Sequence, residues 1–432
     1  MSWKQVSEKR WERPVDGLEG YFIAVANATA NLCDGRKHYT LYSVVKLDSL
    51  VSEDAVRQAW KHIRFEQPQI ATTIEGMNKV YEVPDDAALE KWLSSTFIIS
   101  PSVDFEELYS SIAPIQQATM YYLQESSELV LRAHHHTIDG VGLLRFWHCF
   151  LQALISPLND DELEWGDEPP RLAPTLSNAL DLVEEPSQEI LEKATSIFTE
   201  WAQNIPGVGP TSRIGAAPPG QCRNAELVLS PEDTNAIIKS CKEKGLTIAA
   251  VVHAAYIQAI VKYADPQSKH SKYVTNTQFN LRPYLPPPYD SNRYAVAVLY
   301  SPQAYLTDLP ASFTDLAKSL YEHYQTSFKG NPKALELTGP VNRVLCEFAQ
   351  SPAALTAPSA TDATTSSFGV VENYMQREYG SIRITDIKVG VDIVMGSILH
   401  SAQSAMIPSS GLSARWTDTI GLLSTDDPRH PR

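Results

Sequence analysis

Cysteine is scarce in this chain, with five residues in 432, at Cys33, Cys149, Cys222, Cys241 and Cys346. They are scattered, odd in number and without a CxxC pair, so neither a zinc ribbon nor a redox dithiol is indicated, and a reducing compartment is the simplest setting. No stretch approaches the roughly 18 consecutive apolar residues that a membrane helix requires. The first fourteen residues, MSWKQVSEKRWERP, lack the apolar core of a secretory signal, and the final DDPRHPR reads as a frayed polar tail. The expected location is therefore cytoplasmic. Positive charge is also short: 36 Lys and Arg face 51 Asp and Glu, a net −15. That argues against a nucleic-acid or anionic-membrane partner, both of which need clustered cations. It leaves room for an anionic co-substrate, which a few local cations and helix N-termini can hold. There is no GxSxG elbow, no GxGxxG turn and no Walker A loop, so serine-hydrolase, dinucleotide and P-loop readings have no support. No repeat of solenoid period is present.

What the chain does have is an ordinary globular composition, 43% hydrophobic and 20% charged. Its length suits two domains of roughly 200 residues each. Strand and helix signals alternate from start to finish, which favours an α/β architecture. Residues 39–47 (YTLYSVVKL) read as a strand, followed by a helix capped at Ser52 and running to about Arg64. Residues 117–123 and 128–133 read as a hairpin, and 140–155 (GVGLLRFWHCFLQALI) as a buried helix. The composition then turns acidic and proline-bearing, and residues 156–221 read as a crossover containing one amphipathic helix, 187–205, and a loop through Gly207–Gly220. This gives a first lobe over 1–155, a crossover over 156–221 and a second lobe over 222–432. In the second lobe a strand is expected at 225–229 and helices at 230–244 and 247–264. Strands follow at 273–281 and 294–300, a helix at 308–329, and further strands from Ser366 onward.

The chemically informative segment is Leu129 to Gly142, LVLRAHHHTIDGVG. A chance pair of adjacent histidines is expected roughly 0.3 times, and adding an acid and a glycine at fixed offsets lowers this to about one in a thousand. Side chains alternate along a strand, so His134 and His136 point one way and His135 the other. A histidine at a strand end can project into a cleft as a general base. Asp139 could orient His135 directly or hold the loop through an arginine elsewhere, and Gly140 permits a sharp backbone turn. His134 and His136 most simply satisfy buried hydrogen bonds. A zinc site built on them would need a third ligand that the sequence does not mark, so no metal is expected.

The run His134-His135-His136-Thr137-Ile138-Asp139-Gly140 fits the HHxxxDG signature and resembles the chloramphenicol-acetyltransferase-like superfamily. That group includes peptide-synthetase condensation domains, plant BAHD acyltransferases and fungal trichothecene-type O-acetyltransferases. Trp165 to Leu172 (WGDEPPRL), Phe279 to Leu285 (FNLRPYL) and Ser366 to Val371 (SSFGVV) resemble the fungal members. The likeness spans about Tyr39 to Val394, with only the first motif highly specific.

The resemblance implies two α/β lobes in a V, with an active-site tunnel between them and His135 at its centre. It further implies acetyl-CoA or another acyl-CoA as co-substrate, no permanently bound cofactor, and a small-molecule alcohol as acceptor. His135 would be the base, Asp139 would pair with Arg282 across the lobes, and Ser366 or Ser367 would donate to the oxyanion. The expected activity is CoA-dependent O-acyl transfer onto a secondary-metabolite hydroxyl, by a monomer. The alternatives are a stand-alone condensation-like enzyme working on a carrier protein, a pericyclase using the same cavity, or a catalytically silent binding protein. The plant DFGWG motif is absent, and the chain after about Ser409 departs from the family pattern.

Overall fold

The computed structural model describes residues 2–30, 35–209, 223–356, 364–394, 400–407 and 411–418. Most of the expected loop Gly207–Gly220 lies outside the described residues, as does the polar C-terminal tail. Helix α1 (Gly17–Ala30) starts at a reciprocal cap, in which Asp16 accepts from the Glu19 amide at 2.9 Å and Glu19 from the Asp16 amide at 3.1 Å. Strands β1 (Thr40–Leu47) and β2 (Glu128–His134) are buried along almost their whole length. Helix α2 (Gly140–Ile155) follows β2 after one turn. The later elements that matter for the site are β3 (Lys272–Asn280), β4 (Tyr300–Asp308), β5 (Thr364–Val370) and β6 (Ile382–Asp392).

The first lobe is a six-stranded sheet in the order Glu378–Tyr379, β6, β1, β2, Thr119–Leu123, Phe97–Ser100. Near-continuous apolar strands signal a sheet covered on both faces. Trp60, Phe146, Trp147 and Phe150 fill one side, and Tyr42, Val44, Phe105 and Tyr121 the other. Buried indoles find partners, with Trp147 Nε1 donating to Ser43 Oγ at 2.8 Å and Trp60 Nε1 to Thr96 Oγ1 at 3.1 Å. In the second lobe β3 and β4 form an antiparallel hairpin, and β5 edges a four-stranded sheet completed by His400–Ile407, Gly411–Asp418 and Arg223–Val228. The strand at 411–418 lies in the segment expected to depart from the family pattern.

Most of the expected elements are present. Helices are capped at Ser52, Ser187, Ser230 and Thr247, each side chain accepting from the amide three residues on. Three corrections stand out. The second lobe is not a clean block from residue 222 onward, because β6 returns to pair antiparallel with β1, Val389 opposite Ser43. That pairing covers an edge which would otherwise expose unpaired backbone groups. The apolar run at 294–300 is not a strand. Its backbone wraps a buried ion pair, and the strand comes later, at Tyr300–Asp308. The helix expected from 308 accordingly begins only at Phe313. Helices Gly17–Ala30, Asp86–Thr96 and Pro332–Gln350 are additional to the expected set. Among the described residues no single helix is long and apolar enough to cross a membrane.

Candidate active site

Strand β2 ends at His134, and the next three residues turn before α2 begins. The three histidines separate as expected, although only His134 lies in the strand and His135 and His136 belong to the turn. The rings of His134 and His136 lie together, centroids 5.3 Å apart, while His135 enters a different cavity. His134 Nε2 is 3.1 Å from the Ile115 carbonyl, and His136 Nδ1 is 3.3 Å from Thr137 Oγ1. The His136 carbonyl accepts from Lys79 Nζ at 2.6 Å. Lys79 in turn meets Glu19, which Arg13 grips with two bonds of 2.7 Å. Burial alone would raise the Glu19 carboxyl, but the charges of Arg13 and Lys79 hold it well below the usual carboxylate range. A buried ionic cluster therefore ties the cap of α1 to the backbone beside His135.

His135 stacks face to face on Phe22 of α1, centroids 4.1 Å apart and planes 8° apart. Tyr39 stands edge-on to it at 6.2 Å and Tyr300 is tilted at 5.6 Å. Burial depresses its pKa to about 4, its own backbone carbonyl and the Asp139 charge pulling weakly the other way. At neutral pH the ring is uncharged and free to take a proton. The His135 amide donates to the Tyr39 carbonyl at 3.1 Å, and Tyr39 holds φ at 63°. A left-handed conformation is uncommon for so bulky a residue and marks a backbone held in place by its surroundings.

Asp139 does not orient His135. It caps α2, accepting from the Gly142 amide at 2.7 Å, and takes the Leu299 amide at 2.7 Å. Arg282 Nη1 lies 2.9 Å from both carboxylate oxygens, with both side chains almost fully buried. Arg282 Nη2 reaches the carbonyls of Ala295 and Ala297 at 3.4 Å each. The pair thus joins the motif of the first lobe to the second. Gly140 is also explained differently from the sequence reading. Its backbone is not left-handed, and a Cβ there would come within 2.2 Å of the Phe368 ring on β5. The glycine leaves room for an aromatic ring from the other lobe.

The His135 cavity encloses about 1220 Å³ of empty space, its open mouth included, and both lobes line it. Ser366 and Ser367 both border it. Two neighbours in a regular strand would face opposite ways, but β5 shifts register between Ser367 and Gly369, where Gly369 has φ of 66°. Tyr21, Phe22, Tyr39, Tyr300, Asn276 and Gln278 also line it, and the sequence reading missed all six. For the last two a signal was present, the alternating carboxamides of Asn276, Gln278 and Asn280 on a predicted strand.

A cavity between two α/β lobes, lined by a histidine and with a buried aspartate–arginine pair across them, resembles the architecture of the chloramphenicol-acetyltransferase-like superfamily. The chain has the fold of that superfamily, resembles its fungal O-acetyltransferases over most of its length and is an acyltransferase. It is 27% identical to the acetyltransferase pigO of Monascus ruber over 413 residues, which cover 91% of this chain and 88% of that one. The trichothecene 15-O-acetyltransferase TRI3 of Fusarium sporotrichioides superposes with a TM-score of 0.80 at 16% identity, over 96% of this chain and 92% of that one. The first condensation domain of the calcium-dependent antibiotic synthetase superposes at 0.64 with 14% identity, over 94% and 90%. No family model matches the chain.

Proposed function

We propose that the protein is a CoA-dependent O-acyltransferase, transferring acetyl or a related acyl group to a hydroxyl of a secondary metabolite of the terpenoid or polyketide class. The observation that carries this is His135: an uncharged imidazole, stacked on Phe22, in a cavity lined by both lobes. The full-length likeness to pigO and the fold shared with TRI3 support the acetyl group and the hydroxyl acceptor.

In this reading the acceptor O–H gives its proton to His135 as its oxygen attacks the thioester carbonyl. A C–O bond forms and the carbonyl oxygen becomes an oxyanion, to which Ser366 or Ser367 donates. Collapse breaks the C–S bond, and the proton on His135 passes to the departing thiolate. No acyl-enzyme is needed. Asp139 and Arg282 act as positioning residues, holding the His135 turn against the second lobe.

The test uses isotope-labelled acetyl-CoA and a pool of terpenoid and polyketide alcohols, with mass spectrometry following the label. Wild type is expected to produce a labelled ester, and His135→Ala to lose about 10²–10⁴-fold of that rate. A labelled ester formed equally well by both proteins would remove His135 from the mechanism. No label and no CoA binding by wild type would remove the CoA-dependent reading.

A further inference from the structure

Strand β3 carries Tyr273, Thr275, Thr277 and Phe279 toward the helices of the second lobe. Tyr273 meets His253, Thr277 meets His323 and Phe279 packs on Phe328. The opposite face presents Asn276, Gln278 and Asn280, and all three line the His135 cavity. Asparagine is disfavoured in strands, so two of them flanking a glutamine on one face need a reason beyond folding. Asn280 has one, because its Oδ1 accepts from the Arg282 amide at 3.2 Å. Gln278 does not. Its Nε2 donates to the Asn276 carbonyl at 3.2 Å, and its Oε1 is buried without a hydrogen-bond partner. A buried acceptor left unpaired in the wall of a cavity is a place for a ligand donor.

The rest of the wall narrows the chemistry of that ligand. Around His135 the first lobe contributes Phe22, Leu41, Val141, Val389, Val391 and Ile393, a surface suited to a carbon skeleton. The carboxamides occupy a different wall, on the second lobe, where β3 runs beside β5 with no hydrogen-bonded ladder between them among the described residues. Amides spaced along a strand, next to an unladdered strand edge, match an extended ligand that itself carries successive amide N–H and C=O groups.

We propose that Asn276 and Gln278 form the recognition strip for a linear bis-amide arm, the pantetheine portion of the acyl donor, with Gln278 Oε1 accepting an amide N–H. This rests on the acyl-CoA reading above and adds the residues that select the donor.

The test is titration calorimetry with CoA, pantetheine and adenosine 3′,5′-bisphosphate, the last being the nucleotide end without the amides. Gln278→Leu keeps the side-chain bulk and removes the acceptor; Asn276→Leu is the second variant, and thermal midpoints check that both fold. Gln278→Leu is expected to weaken CoA and pantetheine about 10-fold while leaving the bisphosphate within twofold. Unchanged CoA and pantetheine affinity in both folded variants would overturn the strip while leaving the donor reading intact. A rise in KM for the alcohol alone would overturn it too, by assigning the strip to the acceptor. Failure of wild type to bind CoA or pantetheine would overturn the donor reading itself.

Discussion

His135 shows how much of a catalytic group's behaviour is set by what surrounds it. The ring is the ordinary one, yet burial against Phe22 lowers its pKa to about 4. Protonation is thereby disfavoured in the free protein, so the basic form persists well below the usual histidine range. Because kcat/KM reports the free enzyme, its acid limb should stay level from pH 8 to about 5 and fall only near pH 4. Initial rates after a brief pH jump would separate this limb from acid unfolding. An acid limb centred near 6.5 would mean that the ring is hydrated and the depression absent. At the same scale Asp139 was only half legible: its pairing with Arg282, 143 residues away, was expected only through the family resemblance, and its local use as the cap of α2 was not expected.

At the scale of elements, the contact between the α2 start and β5 couples the two lobes. Gly140 opens α2, and the ring of Phe368 sits where its Cβ would be. Phe368 immediately follows Ser366 and Ser367, and its ring is buried among first-lobe residues. Gly140→Ala must therefore push β5 back from the site. Overpacking of this kind costs about 1–3 kcal/mol. We expect a lowered thermal midpoint together with a larger loss in kcat than in KM for either substrate, since the displaced strand carries the proposed oxyanion donors. Unchanged kinetics in Gly140→Ala would show that β5 yields without moving them. The sequence made the local elements readable through polar starts and apolar runs: the cap read at Ser52 and the helix starts expected at 187, 230 and 247 each fall one residue before an observed helix. It did not reveal that β6, chain-distant from β1, would close the first sheet, nor that 294–300 would forgo strand pairing to satisfy Arg282. Both outcomes are set by long-range partners, which local pattern does not encode.

For the whole molecule, the second lobe is held together by a polar core as well as an apolar one. His253 is buried at its centre, with Nδ1 2.9 Å from Tyr324 Oη and 3.3 Å from Thr365 Oγ1, and Nε2 2.9 Å from Tyr273 Oη. One imidazole thus ties its own helix to β3, to the helix Phe313–Thr326 and to β5. Burial lowers its pKa to about 3, the charge of His323 adding to the effect. An unfolded chain would bind a proton there near pH 6.5, whereas the folded one does not. The contribution of this group is therefore complete above about pH 6.5 and is lost as pH falls toward 3. One such histidine removes about 2 kcal/mol of stability between pH 6.5 and pH 5. His38, held near 3 by burial, acts in the same sense, while Asp16 and Asp392, raised by burial, oppose it. A difference experiment isolates the one term. Denaturant unfolding of wild type and His253→Gln is compared at pH 7 and pH 5, glutamine keeping polar partners for the hydroxyls while removing the titration. The variant is expected to be less stable at pH 7 and to lose about 2 kcal/mol less than wild type on acidification. Parallel losses in the two proteins would place the acid sensitivity elsewhere and show that His253 is protonated, or hydrated, in the folded lobe.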